Sequence, residues 1–331
     1  VSDEYMQRFL CFKNKESFKR HLLTKMPDRI EIGSVYCVPP NQKDTVKKLI
    51  VDETELVLDI DADDYDKIRI CCSGKDVCEK CWTLMTCAVK VLNKVLTDDF
   101  GFKHILWVFS GRRGIHAWIC DKRARMLTVE QRGALLNYIK LVEDKDDLIK
   151  FNLGHSPHLH PHIIRSYNLL LPIFEKWIVP EQGIFETEQS LSYIKRMIPE
   201  NDRHHFEFDD NLDGLGKWYQ LKERIEKLIM TKKNLSYELK YLCHKIVLFF
   251  TFPRLDVAVT QQVNHLLKSP WSIHPDTGKI CVPMDLQNID NFHPNRTPTL
   301  NRIYKELEKI DLSETTNIWK NTCIQSHMQR F

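Results

Sequence analysis

The sequence predicts an α+β fold in which a mixed β-sheet core is interrupted by a helical subdomain. Short apolar runs rich in Val, Ile and Leu, typical of strands, fill Arg29–Ile70 and recur at Ile105–Ser110 and Ile115–Cys120. Glycines between the last two runs predict a hairpin. The segment Cys81–Leu96 instead has apolar residues at helical spacing, so we expect at least one helix beside this sheet.

The middle of the chain has a different character. Four segments with helical periodicity follow one another there, with few strand signals between them. They are Leu127–Val142, Ile163–Ile178, Glu188–Ile198 and Leu215–Met230. Strand-like runs resume at Leu255–Val259 and Lys279–Val282. We therefore predict a core formed by residues 1–165 and 245–331, with a helical subdomain at residues 166–244.

Composition restricts the class of protein. With 331 residues, of which 43% are hydrophobic and 28% charged, the chain can bury a sizeable core and is not expected to be disordered. Apolar runs such as Ile246–Phe252 are far shorter than the roughly 20 residues of a membrane helix, so we expect a soluble intracellular protein. Eleven cysteines, four of them within Cys71–Cys81, are typical of a metal site and a reducing compartment.

Charge is segregated along the chain although the net charge is only +3. Residues 52–66 hold eight acids and no Lys or Arg, whereas residues 103–125 hold six Lys or Arg and a single acid, Asp121. This arrangement is expected if metal ions bind one patch and phosphates bind the next. Charge runs also decorate ordinary solvated surfaces, and the charge pattern alone leaves that alternative open.

The first motif with chemical meaning ends a predicted strand. Residues two apart on a strand share a face, so Asp59 and Asp61 are expected to present their carboxylates together. Such a pair suits Mg²⁺ or Mn²⁺, the ions that assist phosphoryl transfer. A calcium loop is excluded, because Asp64 stands where that loop needs Gly and Ile70 where it needs Glu. A solvated acidic pair remains the alternative.

The second motif is a cysteine cluster. Four thiolates within eleven residues can close a tetrahedral zinc site, and with all four positions occupied by protein the ion would be structural. The cluster consists of Cys71, Cys72, Cys78 and Cys81. The alternative is a set of four buried cysteines that act as small hydrophobic residues.

The third motif is the segment from Ser110 to His116. Ser110, Arg112, Arg113 and His116 follow an apolar strand, with glycines that allow a tight turn. Forked guanidinium donors and a ring nitrogen suit a polyphosphate, and the chain has no glycine-rich phosphate loop to take that role. Taken alone, the segment could be a surface turn.

The fourth motif follows the helical stretch. Asp256 lies in a short apolar run that we interpret as a strand, and it could supply a third carboxylate to a metal pair. Lys268 and His274 would add positive charge to a phosphate pocket. Each of these residues taken alone is more typical of an edge or solvated position.

These four motifs in this order resemble the eukaryotic primase small subunits of the archaeo-eukaryotic primase superfamily. The resemblance implies a mixed β-sheet catalytic core of that type, with a zinc-binding motif and an inserted helical subdomain. It also implies a helical segment preceding Val1. The similar segments are Ile32–Tyr36, Glu55–Asp61, Cys71–Met85, Asp99–His104, Leu106–Cys120 and Phe252–Pro283.

The resemblance also implies roles for individual residues. Asp59, Asp61 and Asp256 match the catalytic metal-binding carboxylates, and the four cysteines match the zinc ligands. Glu31 stands where the family places an acid facing the nucleotide sugar. The residues matching nucleotide triphosphate contacts are Ser110, Arg112, Arg113, His116, Lys268, His274 and, in the N-terminal segment, Arg8.

The function implied is that of a DNA-directed RNA polymerase, a primase that makes short RNA primers on single-stranded DNA. It would use ribonucleoside triphosphates and two-metal nucleotidyl transfer, with Mg²⁺ or Mn²⁺ at the catalytic site and structural Zn²⁺. The implied partners are a primase large subunit and DNA polymerase α, and the implied compartment is the nucleus.

Two alternatives remain open at this point. One is a primase-polymerase that uses deoxynucleotides. The other is a zinc-stabilised DNA-binding or scaffold module without catalysis, which predicts that the three aspartates are not neighbours.

Overall fold

The computed structural model describes residues 6–145, 148–151, 158–232, 235–310 and 317–329. Its strands are β1 (Glu31–Ile32), β2 (Val35–Tyr36), β3 (Val51–Glu53), β4 (Leu56–Asp61), β5 (Ile105–Phe109), β6 (Gly114–Ile119), β7 (Val142–Lys145), β8 (Leu148–Phe151) and β9 (Leu267–Lys268). The central sheet is antiparallel, in the order β4-β6-β5. Three antiparallel strand pairs accompany it: β1 with β9, β2 with β3, and β7 with β8.

Helices surround this sheet and fill the middle of the chain. They are α1 (Lys15–Lys25), α2 (Glu79–Lys94), α3 (Lys122–Arg125), α4 (Val129–Ile139), α5 (Pro161–Ile173), α6 (Val179–Glu181), α7 (Glu188–Met197), α8 (Gly214–Thr231), α9 (Tyr237–Lys240), α10 (Leu242–Thr251), α11 (Val257–Gln261), α12 (Leu300–Leu307) and α13 (Gln325–Met328). No helix among the described residues is long and apolar enough to cross a membrane.

The alternation of residues along β4 gives the sheet two different faces. Leu56, Leu58 and Ile60 are fully buried in the main apolar core, which also contains the buried side of α2. Asp59, which lies between Leu58 and Ile60, and Asp61, which follows Ile60, face the opposite side. The strand and helix patterns that the sequence predicts here are thus confirmed, and the polar face is the one that carries the site.

The helical middle of the chain shares the core of the sheet. Helices α5 and α10 both pack against α2, and buried side chains of α5, α8 and α10 join the same apolar cluster as those of β4. The four predicted helical segments correspond to α4, α5, α7 and α8. The division into a core and a subdomain at residues 166–244 stays a prediction.

The predicted strand at Leu255–Val259 is wrong. Asp256 instead caps helix α11, and its carboxylate accepts hydrogen bonds from the backbone N–H groups of Ala258 at 2.8 Å and Val259 at 3.2 Å. An aspartate that satisfies the free amides of a first helical turn favours a helix over a strand.

The predicted strand at Lys279–Val282 is also not regular. Ile280 and Lys279 form isolated bridges, and the Phe109 N–H donates to the Val282 carbonyl at 2.9 Å. Pro283 forms an isolated antiparallel bridge with Val108, and the Met284 N–H donates to the Trp107 carbonyl at 2.9 Å. The segment therefore pairs with β5 over a short stretch but does not form a regular strand.

Candidate active site

The β4–β6 ladder places two acids on one face of the central sheet. Asp59 lies opposite His116 in the register, and Asp61 lies opposite Gly114. A side chain at residue 114 would overlap the Asp61 carboxylate, so only glycine leaves that carboxylate its space. The strand period that predicted this pair from the sequence is confirmed.

The third acid reaches the same place from far along the chain. The Asp256 N–H donates a hydrogen bond to the Asp59 carbonyl at 3.0 Å, which fixes the start of α11 against β4. The charge of Asp256 helps to raise the pKa of both Asp59 and Asp61. The three predicted acids are therefore neighbours, although Asp256 arrives at a helix cap and not on a strand.

Neighbouring positive charges do not compensate the negative charge of these acids. Burial, then Asp61 and Asp256, raises the pKa of Asp59 to about 8, and burial also raises the pKa of Asp61. Burial and the neighbouring Asp63 raise the pKa of Asp64 to about 6. The Asp59 Oδ1 atom is buried and has no hydrogen-bond partner among the described residues. A site of buried, repelling carboxylates fits a divalent cation.

The three carboxylates lie near one another, but their oxygens do not converge on a single metal position. Among the described residues, the four cysteines alone form a group of three or more potential ligands whose atoms all lie within 4.8 Å. Asp61 is turned toward Arg113, and the Oδ1 atom of Asp256 is used in capping α11. An ion would have to draw these oxygens inward.

Arg113 is the cation closest to the acids. Its Nη2 atom lies 3.0 Å from Asp61 Oδ2 and 3.0 Å from Asp63 Oδ2, so it bridges two carboxylates. Sequence reasoning missed the role of Asp63. Its signal was its place two residues after Asp61, but the short helical turn Ala62–Tyr65, which aims it at Arg113, could not be predicted from that spacing.

His116 is buried beside Asp59 and is neutral. Burial, with a further contribution from Lys268, lowers its pKa to about 3. Its Nε2 atom lies 3.4 Å from Asp59 Oδ1, which is a neutral contact since the ring carries no charge at neutral pH. Its Nδ1 atom has no hydrogen-bond partner in the described part of the chain.

Lys268 joins the β5–β6 hairpin to strand β9. Its ammonium donates to the Ser110 carbonyl at 3.1 Å, and burial lowers its pKa. The Ser110 hydroxyl accepts a hydrogen bond from the Gly114 N–H at 3.0 Å, which closes the turn of the hairpin. Ser110 and Lys268 are thus brought together as predicted.

Arg112 and His274 lie on facing loops. Gly111 has φ +89°, and a Cβ there would lie 2.8 Å from the Cβ of His274, so glycine allows the close approach. Arg112 forms an ion pair with Asp276, an acid that the sequence analysis missed. Burial, then Lys268, lowers the pKa of His274 to about 4.

The two remaining predicted residues differ in their placement. Glu31 on β1 pairs with Lys268 on β9 in the strand register and forms an ion pair with Arg29. Arg8 is exposed and donates to the Met6 sulfur at 3.3 Å, a contact that does not connect it to the acids.

The cysteine cluster forms a separate site at the start of α2. All four sulfurs lie within 4.8 Å of one another, as a single metal ion would require. Arg69 donates to Cys81 Sγ at 3.6 Å and Gln182 donates to Cys71 Sγ at 3.5 Å. Donors of this kind support thiolate ligands from outside the cluster. The predicted grouping of Cys71, Cys72, Cys78 and Cys81 is confirmed as a possible metal site.

Comparison with known proteins agrees with this geometry. Residues 58–286 match the family of DNA primase small subunits. A DNA primase small subunit of Schizosaccharomyces pombe is 38% identical over 317 residues, which cover 93% of this chain and 69% of the relative.

Two further relatives cover similar shares. A DNA primase small subunit of Saccharomyces cerevisiae is 38% identical over 92% of this chain and 75% of its own length. One of Drosophila melanogaster is 34% identical over 94% of this chain and 74% of its own length. The chain therefore belongs to the family of DNA primase small subunits.

Proposed function

We propose that this site carries out the reaction of its family, the synthesis of RNA primers for DNA replication, by metal-assisted nucleotidyl transfer. The observation that supports the proposal most is the meeting of Asp59, Asp61 and Asp256 beside Arg113. Roughly 200 residues separate the last acid from the first two, so their proximity is a product of the fold. The non-catalytic alternative predicts the opposite arrangement.

The three carboxylates would hold two divalent ions, Mg²⁺ or Mn²⁺. When bound, such ions lower the pKa of a nucleotide 3′-hydroxyl and stabilise charge on the α-phosphate as pyrophosphate leaves. Asp59 offers a buried oxygen that has no hydrogen-bond partner among the residues that the structure describes. Both capping bonds of Asp256 fall on Oδ1, which leaves Oδ2 for an ion. If Asp61 bound an ion, the ion pair with Asp63 would still hold Arg113 in place.

The cationic residues around the hairpin would bind the triphosphate. Lys268 contacts the Ser110 carbonyl, and Arg113 pairs with Asp61. Arg112 pairs with Asp276 on the loop that carries His274. Neutral His116 and His274 can donate one ring N–H each without adding charge. Catalysis would then depend mainly on positioning and electrostatic stabilisation. Glu31 would contact the sugar, and Arg8 would need to move to reach a phosphate.

The cysteine cluster would bind Zn²⁺ in a structural role. Four sulfur ligands leave no open position for substrate, and they join the loop after β4 to the first turn of α2. Within the same proposal the protein works in the nucleus, on a single-stranded DNA template, together with a primase large subunit and DNA polymerase α.

The test is primer synthesis from ATP on poly(dT), with Mg²⁺ and Mn²⁺ compared. Asp61→Asn should lower synthesis by at least about 100-fold, since it removes a ligand needed to stabilise transition-state charge. Asp52→Asn, which changes an exposed acid on β3, is the matched control and should retain activity. Unchanged synthesis by Asp61→Asn would refute the assignment.

The same assay separates the deoxynucleotide alternative. A replicative primase should use ATP in preference to dATP when it starts a chain. A preference for dATP would favour a primase-polymerase.

A further inference from the structure

The segment from residue 6 to residue 50 carries an excess of positive charge that the rest of the chain lacks. It holds ten Lys and Arg against four Asp and Glu, whereas the whole chain holds 48 against 45. The ten are Arg8, Lys13, Lys15, Lys19, Arg20, Lys25, Arg29, Lys43, Lys47 and Lys48, and all are exposed. In the described part of the chain, the salt bridge of this segment is the Arg29–Glu31 pair. Most of this charge thus faces solvent and has no acidic partner within the described ranges.

No face of helix α1 packs into the apolar core. None of its eleven residues is buried. Lys15 and Lys19 lie one helical turn apart on the same side, and like charges at that spacing destabilise a helix by about 0.2–0.5 kcal/mol. An anionic partner lying along the helix would remove that repulsion.

Exposed aromatic rings lie among these cations. Phe9 is 45% exposed and Phe18 is 37% exposed. The Lys43 ammonium lies 4.3 Å from the centroid of the Phe9 ring, and the Phe12 and Phe18 rings pack 5.1 Å apart, centroid to centroid. Cations that track a backbone and rings on which bases stack are the two features of surfaces that bind single-stranded nucleic acid.

This basic surface leads to the nucleotide pocket. The Ser269 N–H donates to the Ile30 carbonyl at 2.8 Å and the Ile273 N–H donates to the Asp28 carbonyl at 3.1 Å, so residues 28–30 are fixed to the segment that carries Lys268. Helix α1 ends at Lys25, four residues before Arg29, which limits the gap to about 14 Å. The helix itself extends for about 16 Å.

We propose that α1 and the exposed lysines that flank it bind the backbone of the single-stranded DNA template as it approaches the active site. The inference rests on the proposed function for the choice of nucleic acid, but it concerns a surface that the catalytic reaction does not itself require. Contacts to phosphates by exposed cations carry no base specificity, so binding should tolerate any template sequence.

The experiment neutralises the cations of α1 in the full chain. Glutamine is used because it retains good helix propensity. The test variant carries Lys15→Gln, Lys19→Gln, Arg20→Gln and Lys25→Gln. The matched control carries four exposed lysines changed elsewhere: Lys75→Gln, Lys103→Gln, Lys195→Gln and Lys305→Gln. Binding to a fluorescent dT oligonucleotide is followed by anisotropy between 50 and 200 mM NaCl.

Each phosphate contact to a single strand contributes about 0.7 to the slope of log affinity against log salt. The test variant should lose about 2–3 from that slope and at least about tenfold in affinity at 50 mM NaCl, and the control should lose far less. In primer synthesis, the KM for poly(dT) should rise while the KM for ATP and the kcat stay unchanged.

An oligonucleotide affinity and salt slope equal to those of the control would overturn the proposal. Failure of the proposed function is a separate result, because a wild-type chain that makes no primers would still reveal, by anisotropy, whether α1 binds the strand.

Discussion

At the scale of single residues, the central feature is the cost of placing negative charge on β4. Asp59 has its pKa raised to about 8, mainly by burial. The folded state therefore binds a proton more tightly than the unfolded state, and stability from this group is lost as pH rises from about 4 to about 8. A divalent ion would reverse this effect by compensating the charge.

We therefore expect Asp59→Asn to stabilise the metal-free protein more at pH 8 than at pH 5. The gain in unfolding free energy should be larger at pH 8 by about 3–4 kcal/mol, because each pH unit between the unfolded and folded pKa values costs the wild type about 1.4 kcal/mol and the variant has no carboxylate to ionise. Urea denaturation with a chelator present, at both pH values, measures this gain. Asp52→Asn, which changes an exposed acid, is the control. An equal effect of Asp59→Asn at both pH values would contradict the raised pKa of Asp59.

At this scale, the sequence predicted which residues form the site better than it predicted which residues pair with them. The alternation of Asp59 and Asp61 follows from the strand period, and the fold confirms it. The pairs Arg113–Asp63 and Arg112–Asp276 could not be predicted in this way. They depend on how two loops face each other, which no local pattern encodes.

At the scale of elements, the cysteine cluster connects the catalytic strand to its supporting helix. Cys78 is the N-cap residue of α2, and Arg69 donates to the Gly74 and Asp76 carbonyls at 2.8 Å each within the same loop. An ion bound to the four sulfurs would hold this loop at the point where α2 begins. The buried face of α2 in turn supports Leu58 and Ile60 on β4.

Removing the metal, or one of its ligands, should therefore destabilise α2 and β4 as well as the loop. We expect Cys72→Ser to lower metal content and to reduce the unfolding free energy by several kcal/mol, since structural zinc in small domains contributes about 10 kcal/mol or more. Elemental analysis and thermal unfolding measure the two effects. Cys120→Ser, which changes an exposed cysteine outside the cluster, is the control. Full stability without metal would argue against a structural ion.

Helices and strands with a periodic pattern of apolar residues were predicted correctly. A helix whose start depends on one capping side chain was not. The β5–β6 hairpin and the four central helices follow from periodicity and glycine placement. The run Leu255–Val259 has the composition of a strand, but capping by Asp256 makes it start a helix. A run of five residues is too short for its periodicity to distinguish a strand from a helix.

At the scale of the whole molecule, the helical middle and the β-sheet are joined by one apolar core. Leu170 on α5 and Leu92 on α2 belong to the same buried cluster as the strands. The order of helices along the chain could be predicted from sequence. The continuity of the core could not, because periodicity shows which face of a helix is buried but not what it is buried against.

A shared core predicts cooperative unfolding. Leu170→Ala should lower the unfolding free energy by about 2–5 kcal/mol, because it leaves a cavity at a fully buried position. Far-ultraviolet circular dichroism and tryptophan fluorescence should report one coincident transition in both proteins. Leu23→Ala on exposed α1 should change the free energy by less than about 0.5 kcal/mol. Two separated transitions would instead support an independent subdomain at residues 166–244.

The distance along the chain between Asp61 and Asp256 has a consequence for biosynthesis. A ribosome adds about 5–20 residues per second, so roughly 10–40 s pass between the synthesis of the first two acids and that of the third. During this interval β4 can form, but the set of three acids is incomplete. A nascent polypeptide therefore gains the capacity for catalysis late in its translation, and premature termination within the helical stretch would yield an inert fragment.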